Sequence, residues 1–163
     1  MSHYDVVLKE VEAQTVASAR EVVSSVREMP ERCGAMSRAV YKLAEGRGLK
    51  VVGACMAIYH DQGSYREEDI DTEMAVPVEG ASADESGHVT DGTATIRALP
   101  RVESMASVVH HGGYDTIMEA YGAVAAWIER GEYTITGPCR EIYLQGPEAG
   151  APVTELQFPV QKA

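Results

Sequence analysis

Gly53-Ala54-Cys55-Met56-Ala57-Ile58-Tyr59 and Gly137-Pro138-Cys139-Arg140-Glu141-Ile142-Tyr143 are two versions of one stretch within a chain of 163 residues. Downstream of each comes a second matched block. It reads Thr72-Glu73-Met74-Ala75-Val76-Pro77-Val78 in one case and Thr154-Glu155-Leu156-Gln157-Phe158-Pro159-Val160 in the other. The spacing between blocks is nearly the same in both halves, and agreement in order and spacing is far stronger evidence of repetition than either block alone. Upstream, Thr15-Val16-Ala17-Ser18 resembles Ser104-Met105-Ala106-Ser107. The chain reads as one unit written twice.

Each half shows the same succession of patterns. A short strand is expected first, Val6 to Val11 in one half and Thr93 to Leu99 in the other. A second follows at Gln14 to Arg20 and at Glu103 to His110. A helix comes next. In the second half it spans about Asp115 to Arg130, with Ile117, Tyr121, Val124 and Ile128 at helical spacing. Thr116 or Asp115 is placed to cap it, and Gly131 to stop it. In the first half Met36, Val40 and Leu43 form the shorter stripe, ended by Gly46 or Gly48. Two strands close each unit, Lys50 to Tyr59 with Ile70 to Pro77, and Tyr133 to Leu144 with Val153 to Phe158. The stretches Asp61 to Glu68 and Gln145 to Ala151 read as hairpin loops.

This pattern predicts an α+β fold of two duplicated β-β-α-β-β modules with antiparallel sheets and helices on one face. Residues 1–80 form the first module and 93–163 the second. The Gly-, Ser-, Asp- and Ala-rich stretch Glu79 to Gly92 supplies a linker, taken as 81–92. An antiparallel sheet can leave its other face open, and two such sheets that meet can enclose a ligand groove.

Bulk composition narrows the function by exclusion. The net charge of -11, without clustered Lys or Arg, argues against neutralising phosphates, so no direct nucleic-acid partner is expected. No stretch approaches the ~20 apolar residues of a membrane span, and the N-terminus lacks a signal-peptide pattern. A soluble, cytoplasmic protein is the expectation. Cys33, Cys55 and Cys139 form no CxxC pair and read as reduced, mostly buried thiols. Adjacent His110 and His111 on a strand point to opposite faces, which disfavours a metal site with Asp115, and His60-Asp61 matches no zinc spacing. P-loop, dinucleotide fingerprint and nucleophile elbow are absent, so neither metal nor cofactor is expected.

The residues that carry chemistry follow from strand alternation. Glu141 and Tyr143 share one face of their strand, and Ile142 and Leu144 the other. With Ile142 and Leu144 assigned to the helices, Glu141 and Tyr143 project onto the opposite, open face. The equivalent positions in the first half are Ala57 and Tyr59, so the repeat supplies two rings and one carboxylate. Tyr114, after Gly112-Gly113, can overhang the sheet. Trp127, the only tryptophan, lies in the turn before Gly131. Eight tyrosines against one phenylalanine suit recognition of flat or cationic organic molecules.

Taken together, the repeated unit, Gly112-Gly113-Tyr114, Trp127-Ile128, Gly137-Pro138-Cys139-Arg140-Glu141-Ile142-Tyr143-Leu144 and Thr154-Glu155-Leu156 with Pro159-Val160 resemble the GyrI-like family. Ile58-Tyr59-His60-Asp61 also fits. That family includes the effector-binding domains of Rob-type and multidrug-responsive transcription regulators. The resemblance implies two modules related by a pseudo-twofold axis, with a groove between them and a central glutamate ringed by aromatics. That glutamate corresponds to Glu141, with Tyr143 beside it and Tyr114, Trp127 and Tyr59 as wall residues. The two modules use up the chain, so the resemblance implies a stand-alone member without a fused DNA-binding domain. It implies three roles: capture of lipophilic, aromatic or cationic compounds; hydrolysis of cyclopropane-bearing DNA-alkylating compounds with Glu141 as general base; or modulation of gyrase as a protein partner.

Overall fold

A computed structural model describes residues 4–61, 66–80, 89–91, 94–146 and 150–163. In chain order the elements are β1 (Val7–Val11), β2 (Gln14–Ser25), α1 (Met29–Gly46), β3 (Lys50–Val51), β4 (Met56–Tyr59), β5 (Glu68–Glu79) and β6 (Val89–Asp91). There follow β7 (Ala94–Leu99), β8 (Val102–His111), α2 (Ile117–Arg130), β9 (Tyr133–Ile135), β10 (Cys139–Gln145) and β11 (Val153–Lys162). A 3-10 turn precedes each helix, at Val26–Glu28 and Tyr114–Thr116. Most of the expected linker, residues 81–88 and 92, lies outside the described residues, as do residues 62–65 and 147–149 of the two expected hairpin loops.

Contacts divide the chain into two compact units. Glu12–Arg101 forms the central unit, and Met1–Val11 with Val102–Ala163 the terminal unit. The central unit orders its strands β4-β5-β2-β7-β6, with β3 also on β5. In the terminal unit the order is β1-β8-β11-β10, with β9 also on β11. Pairing is antiparallel throughout. The element types match the α+β expectation, but β1 and β7 pair outside the halves in which the sequence puts them. Val7 lies opposite Ser107, and Thr95 opposite Ser18. Alternation marks a stretch as a strand without naming its partner, so an exchange between halves leaves no local trace.

The matched sequence blocks explain themselves in this geometry. Instead of one long third strand, each unit has a short piece and a longer one, β3 and β4 or β9 and β10, with a glycine between them. A Cβ on Gly53 would stand 2.9 Å from the Pro77 ring, and one on Gly137 3.3 Å from Pro159. Beside each proline a backbone bond closes the crossing, Val52 N–H to the Pro77 carbonyl at 3.0 Å and Thr136 N–H to the Pro159 carbonyl at 2.9 Å. The repeated Gly and the repeated Pro are therefore contact partners. A methyl group at Gly53 would force them apart.

Both helices bury the expected stripes. Met36, Val40 and Leu43 of α1 are buried, and the helix starts earlier than its apolar stripe because Pro30 suits a first turn. Ile117, Val124 and Ile128 of α2 pack with Val108, Leu156 and Val160, and Tyr121 lies at the margin of that core. Each such aliphatic side chain contributes roughly 1.5–3 kcal/mol on burial. Thr116 makes no side-chain cap; its hydroxyl bonds the Gly113 carbonyl instead. Gly131 ends α2, and a Cβ there would collide with the Tyr133 ring at 2.7 Å. Among the described residues no helix is long and apolar enough to cross a membrane.

Candidate functional site

Glu141 is the residue from which the candidate site is built, and its facing corrects the sequence reading. It lies directly opposite Leu156 in the β10–β11 ladder, and cross-strand partners share a face. Leu156 belongs to the core under α2, so Glu141 and Tyr143 lie on the helix face of the sheet. Leu144, expected against the helices, is half exposed at 50%. The polar residues occupy the helix side because α2 offers a polar partner there: Tyr121 donates its hydroxyl to Glu141 Oε2. Tyr143 donates to Oε1 at 2.8 Å. Both carboxylate oxygens are thus held by phenols from two different elements, and Glu141 is half-buried.

The two phenols each meet a further ring. Tyr114 meets Tyr143 edge to face, with centroids 6.1 Å apart and planes at 81°. Tyr121 meets Phe158 in the same way, at 6.0 Å and 90°. These are favoured aromatic geometries. Tyr114 is 44% exposed, as expected of a residue overhanging the sheet edge. Sequence reasoning does not bring Tyr121 to the site. The signal is present, since Tyr121 sits four residues past Ile117 at the border of the apolar stripe, where a long polar-tipped ring reaches sideways.

The other expected wall residues are Trp127, Ala57 and Tyr59. Trp127 stacks on Tyr133, with centroids 5.0 Å apart and planes 10° apart. Six residues beyond Tyr121, at ~100° per residue, it leaves α2 on another side. Ala57 and Tyr59 lie on β4 of the central unit, the first fully buried and the second half-buried. The histidine pair divides as alternation requires, with His110 buried and His111 exposed. All three cysteines are half-buried, less enclosed than expected. An open depression lined by Arg27, Arg66 and Glu68 lies in the central unit and includes none of these residues.

A second pair of acids is not anticipated by the sequence reading. Glu73 is 1% exposed. Arg97 of β7 grips it with bonds of 2.7 and 2.6 Å, and His60 donates at 2.9 Å. Burial raises its pKa, but His60, Arg97 and Ser18 outweigh burial and hold it at about 2, against an ordinary 4.5. Glu155 in the terminal unit receives Lys9 of β1 at 2.6 Å, Ser107 at 2.6 Å and Gln157 at 2.9 Å. Burial raises its pKa as well, and Gln157, Lys9 and Ser107 bring it below the ordinary value. These acids clamp the exchanged strands in place. The recurring Thr-Glu and the upstream serine are legible in the sequence; the exchanged cations are not.

The two-helix antiparallel α+β architecture is that of a small-molecule-binding domain. The chain belongs to the GyrI-like small molecule binding domain family, which matches residues 4–161. It is similar to the EcmrR C-terminal domain, at 26% identity and a TM-score of 0.81, covering 99% of this chain and 100% of that one. In the EcmrR–DNA complex the identity is again 26%, with a TM-score of 0.83. There the match covers 98% of this chain but 58% of the EcmrR chain, so this chain spans little more than half of that protein. SAV2435 bound to tetraphenylphosphonium shares the fold at 14% identity and a TM-score of 0.60, over 96% of this chain and 94% of that one. No curated protein matches the chain.

Proposed function

We propose that the terminal unit captures lipophilic aromatic cations, with Glu141 supplying the charge and Tyr114, Tyr121, Tyr143 and Phe158 the ring surface. The observation that carries this reading is the convergence of two phenol hydroxyls on the two oxygens of one half-buried carboxylate. Such a carboxylate is a fixed, oriented anion, and the flanking ring faces attract cations further. It is better arranged to face a bound charge than to turn toward water as a base. We also infer that the two units derive from one module, since strand order, the Gly–Pro crossing and the acid clamp recur in both. Full-length likeness to the EcmrR C-terminal domain supports effector sensing as the role of the binding event.

Isothermal titration tests this with two probes, tetraphenylphosphonium and the uncharged triphenylphosphine oxide. Glu141→Gln is expected to weaken the cation by about 10- to 100-fold, the worth of a charge-assisted contact, and to leave the neutral probe unchanged. Equal affinity of both proteins for the cation would remove Glu141 from this role.

A further inference from the structure

His110 is buried at 2% exposure and takes no part in the contacts around Glu141. Its two ring nitrogens are both engaged. Nε2 lies 2.9 Å from the Gly113 carbonyl and 3.2 Å from the Thr116 hydroxyl. A carbonyl only accepts, so Nε2 carries the hydrogen. Nδ1 then accepts from the Tyr4 hydroxyl at 2.8 Å. The Gly113 carbonyl thereby fixes which nitrogen holds the proton, and Tyr4, 106 positions earlier in the chain, engages the other.

The bond lands on the turn that carries Tyr114. Gly112 takes a φ of +145°, a conformation that side chains rarely allow. Thr116 N–H and its hydroxyl both return to the Gly113 carbonyl, at 3.3 and 3.2 Å. That oxygen is therefore the node of the turn, and His110 is its link to the sheet. One residue on, the Tyr114 ring sets its edge against Tyr143, whose hydroxyl holds Glu141.

We propose that His110, held between the Tyr4 hydroxyl and the Gly113 carbonyl, is a positioning residue for ligand capture: it holds the Gly113 carbonyl and so places Tyr114 at the rim of the Glu141 site. The inference rests on the reading of Glu141 as the ligand anion. Gly112 and Gly113 let the backbone fold tightly enough for the carbonyl to reach the ring, and a glycine-rich turn without such an anchor would leave Tyr114 free to swing.

The test uses the full chain with tetraphenylphosphonium as probe and four variants, His110→Leu, His110→Gln, Tyr4→Phe and Tyr114→Ala. His110→Leu is expected to weaken binding about 10-fold, and Tyr4→Phe about 3-fold. His110→Gln, whose amide N–H replaces the Nε2 donor, is expected to recover most of the loss. In a Tyr114→Ala background His110→Leu should change affinity less than about 2-fold, because residues acting through one another are not additive. An equal loss in both backgrounds would overturn the proposal. Hydrogen exchange at the Thr116 amide, read without ligand, separates this idea from the function it rests on. Should the wild type fail to bind the probe, the reading of Glu141 fails, and exchange alone decides the role of His110. Faster exchange at Thr116 in Tyr4→Phe and His110→Leu, restored in His110→Gln, supports the anchor. Exchange that stays at the wild-type rate in all three overturns it.

Discussion

Glu73 on β5 of the central unit and Glu155 on β11 of the terminal unit occupy matching places in the repeated Thr-Glu blocks. Each accepts from a serine, Ser18 on β2 or Ser107 on β8, and from a cation on the exchanged strand, Arg97 on β7 or Lys9 on β1. On the opposite face of the sheet the units part company. Glu141, with its two phenol donors, has Ala57 as its counterpart on β4, and Ala57 is fully buried. The nearest polar gathering under α1 is Cys55 with Ser37 and Tyr41, where burial pushes the thiol up. The difference separates what the fold needs from what a ligand needs. An arrangement kept in both units holds strands; one present in a single unit is free to serve chemistry.

The sharpest way to break this comparison is to write the missing acid into the central unit. Ala57→Glu would bury a carboxylate at a fully enclosed position, with Tyr59 two residues on as the counterpart of Tyr143. It is expected to cost several kcal/mol, on the order of 3–5, as an uncompensated buried charge does. Glu141→Ala should change stability by about 1 kcal/mol or less while abolishing selectivity for the cationic probe. Urea denaturation of both variants checks the contrast. Similar losses from the two substitutions would mean that Glu141 is as structural as the core.

The clamps themselves differ in strength. Arg97→Ala leaves Glu73 enclosed with only His60 and Ser18, and is expected to lower the unfolding free energy by about 3 kcal/mol. Lys9 is 43% exposed at its side chain, and Glu155 keeps two neutral donors, so Lys9→Ala should cost about 1 kcal/mol. Acid titration sharpens the same point. Glu73 is depressed on folding to about 2 from an ordinary 4.5. Its stabilisation is complete above the unfolded value and is lost as pH falls from there toward 2. Glu155 is depressed too, so its contribution falls in the same direction below the ordinary carboxylate range. Chemical denaturation at a series of pH values from the ordinary carboxylate range down toward 2 should show stability falling on acidification. One such carboxylate accounts for a slope of at most about 1.4 kcal/mol per pH unit. The slope should flatten in Glu73→Gln. A slope untouched by that substitution would assign the acid sensitivity to other groups.

Much of this is readable in the sequence, and the exceptions share a cause. The paired blocks, both helices and the residue types at Glu141, Tyr143 and Tyr114 follow from local patterns and spacing. Facing is misassigned at Glu141 because alternation gives two faces without labels. The usual rule sends apolar Ile142 and Leu144 to the helix. Here Leu156 across the ladder and Tyr121 from α2 settle the matter, and both are distant in sequence. The exchange of β1 and β7 escapes for the same reason, since pairing is a long-range choice. His110 enters the sequence reading only as a poor metal candidate, because its Tyr4 partner lies 106 residues away.

The smallest effect worth measuring concerns the two phenols on Glu141. Tyr143→Phe removes one donor to Oε1 and keeps the ring that meets Tyr114. Its loss is expected to change stability by about 0.5–1 kcal/mol and affinity for tetraphenylphosphonium by no more than about 3-fold. The freed oxygen can turn toward the cation or toward water, and these choices offset one another. Tyr121→Phe should act alike on affinity and stability, because it removes the other hydroxyl donor and keeps the ring at the edge of the core beneath α2. If Tyr143→Phe instead removed binding altogether, the hydroxyl itself would be the contact to the ligand. The carboxylate would then serve to hold that hydroxyl in place, reversing the roles assigned above.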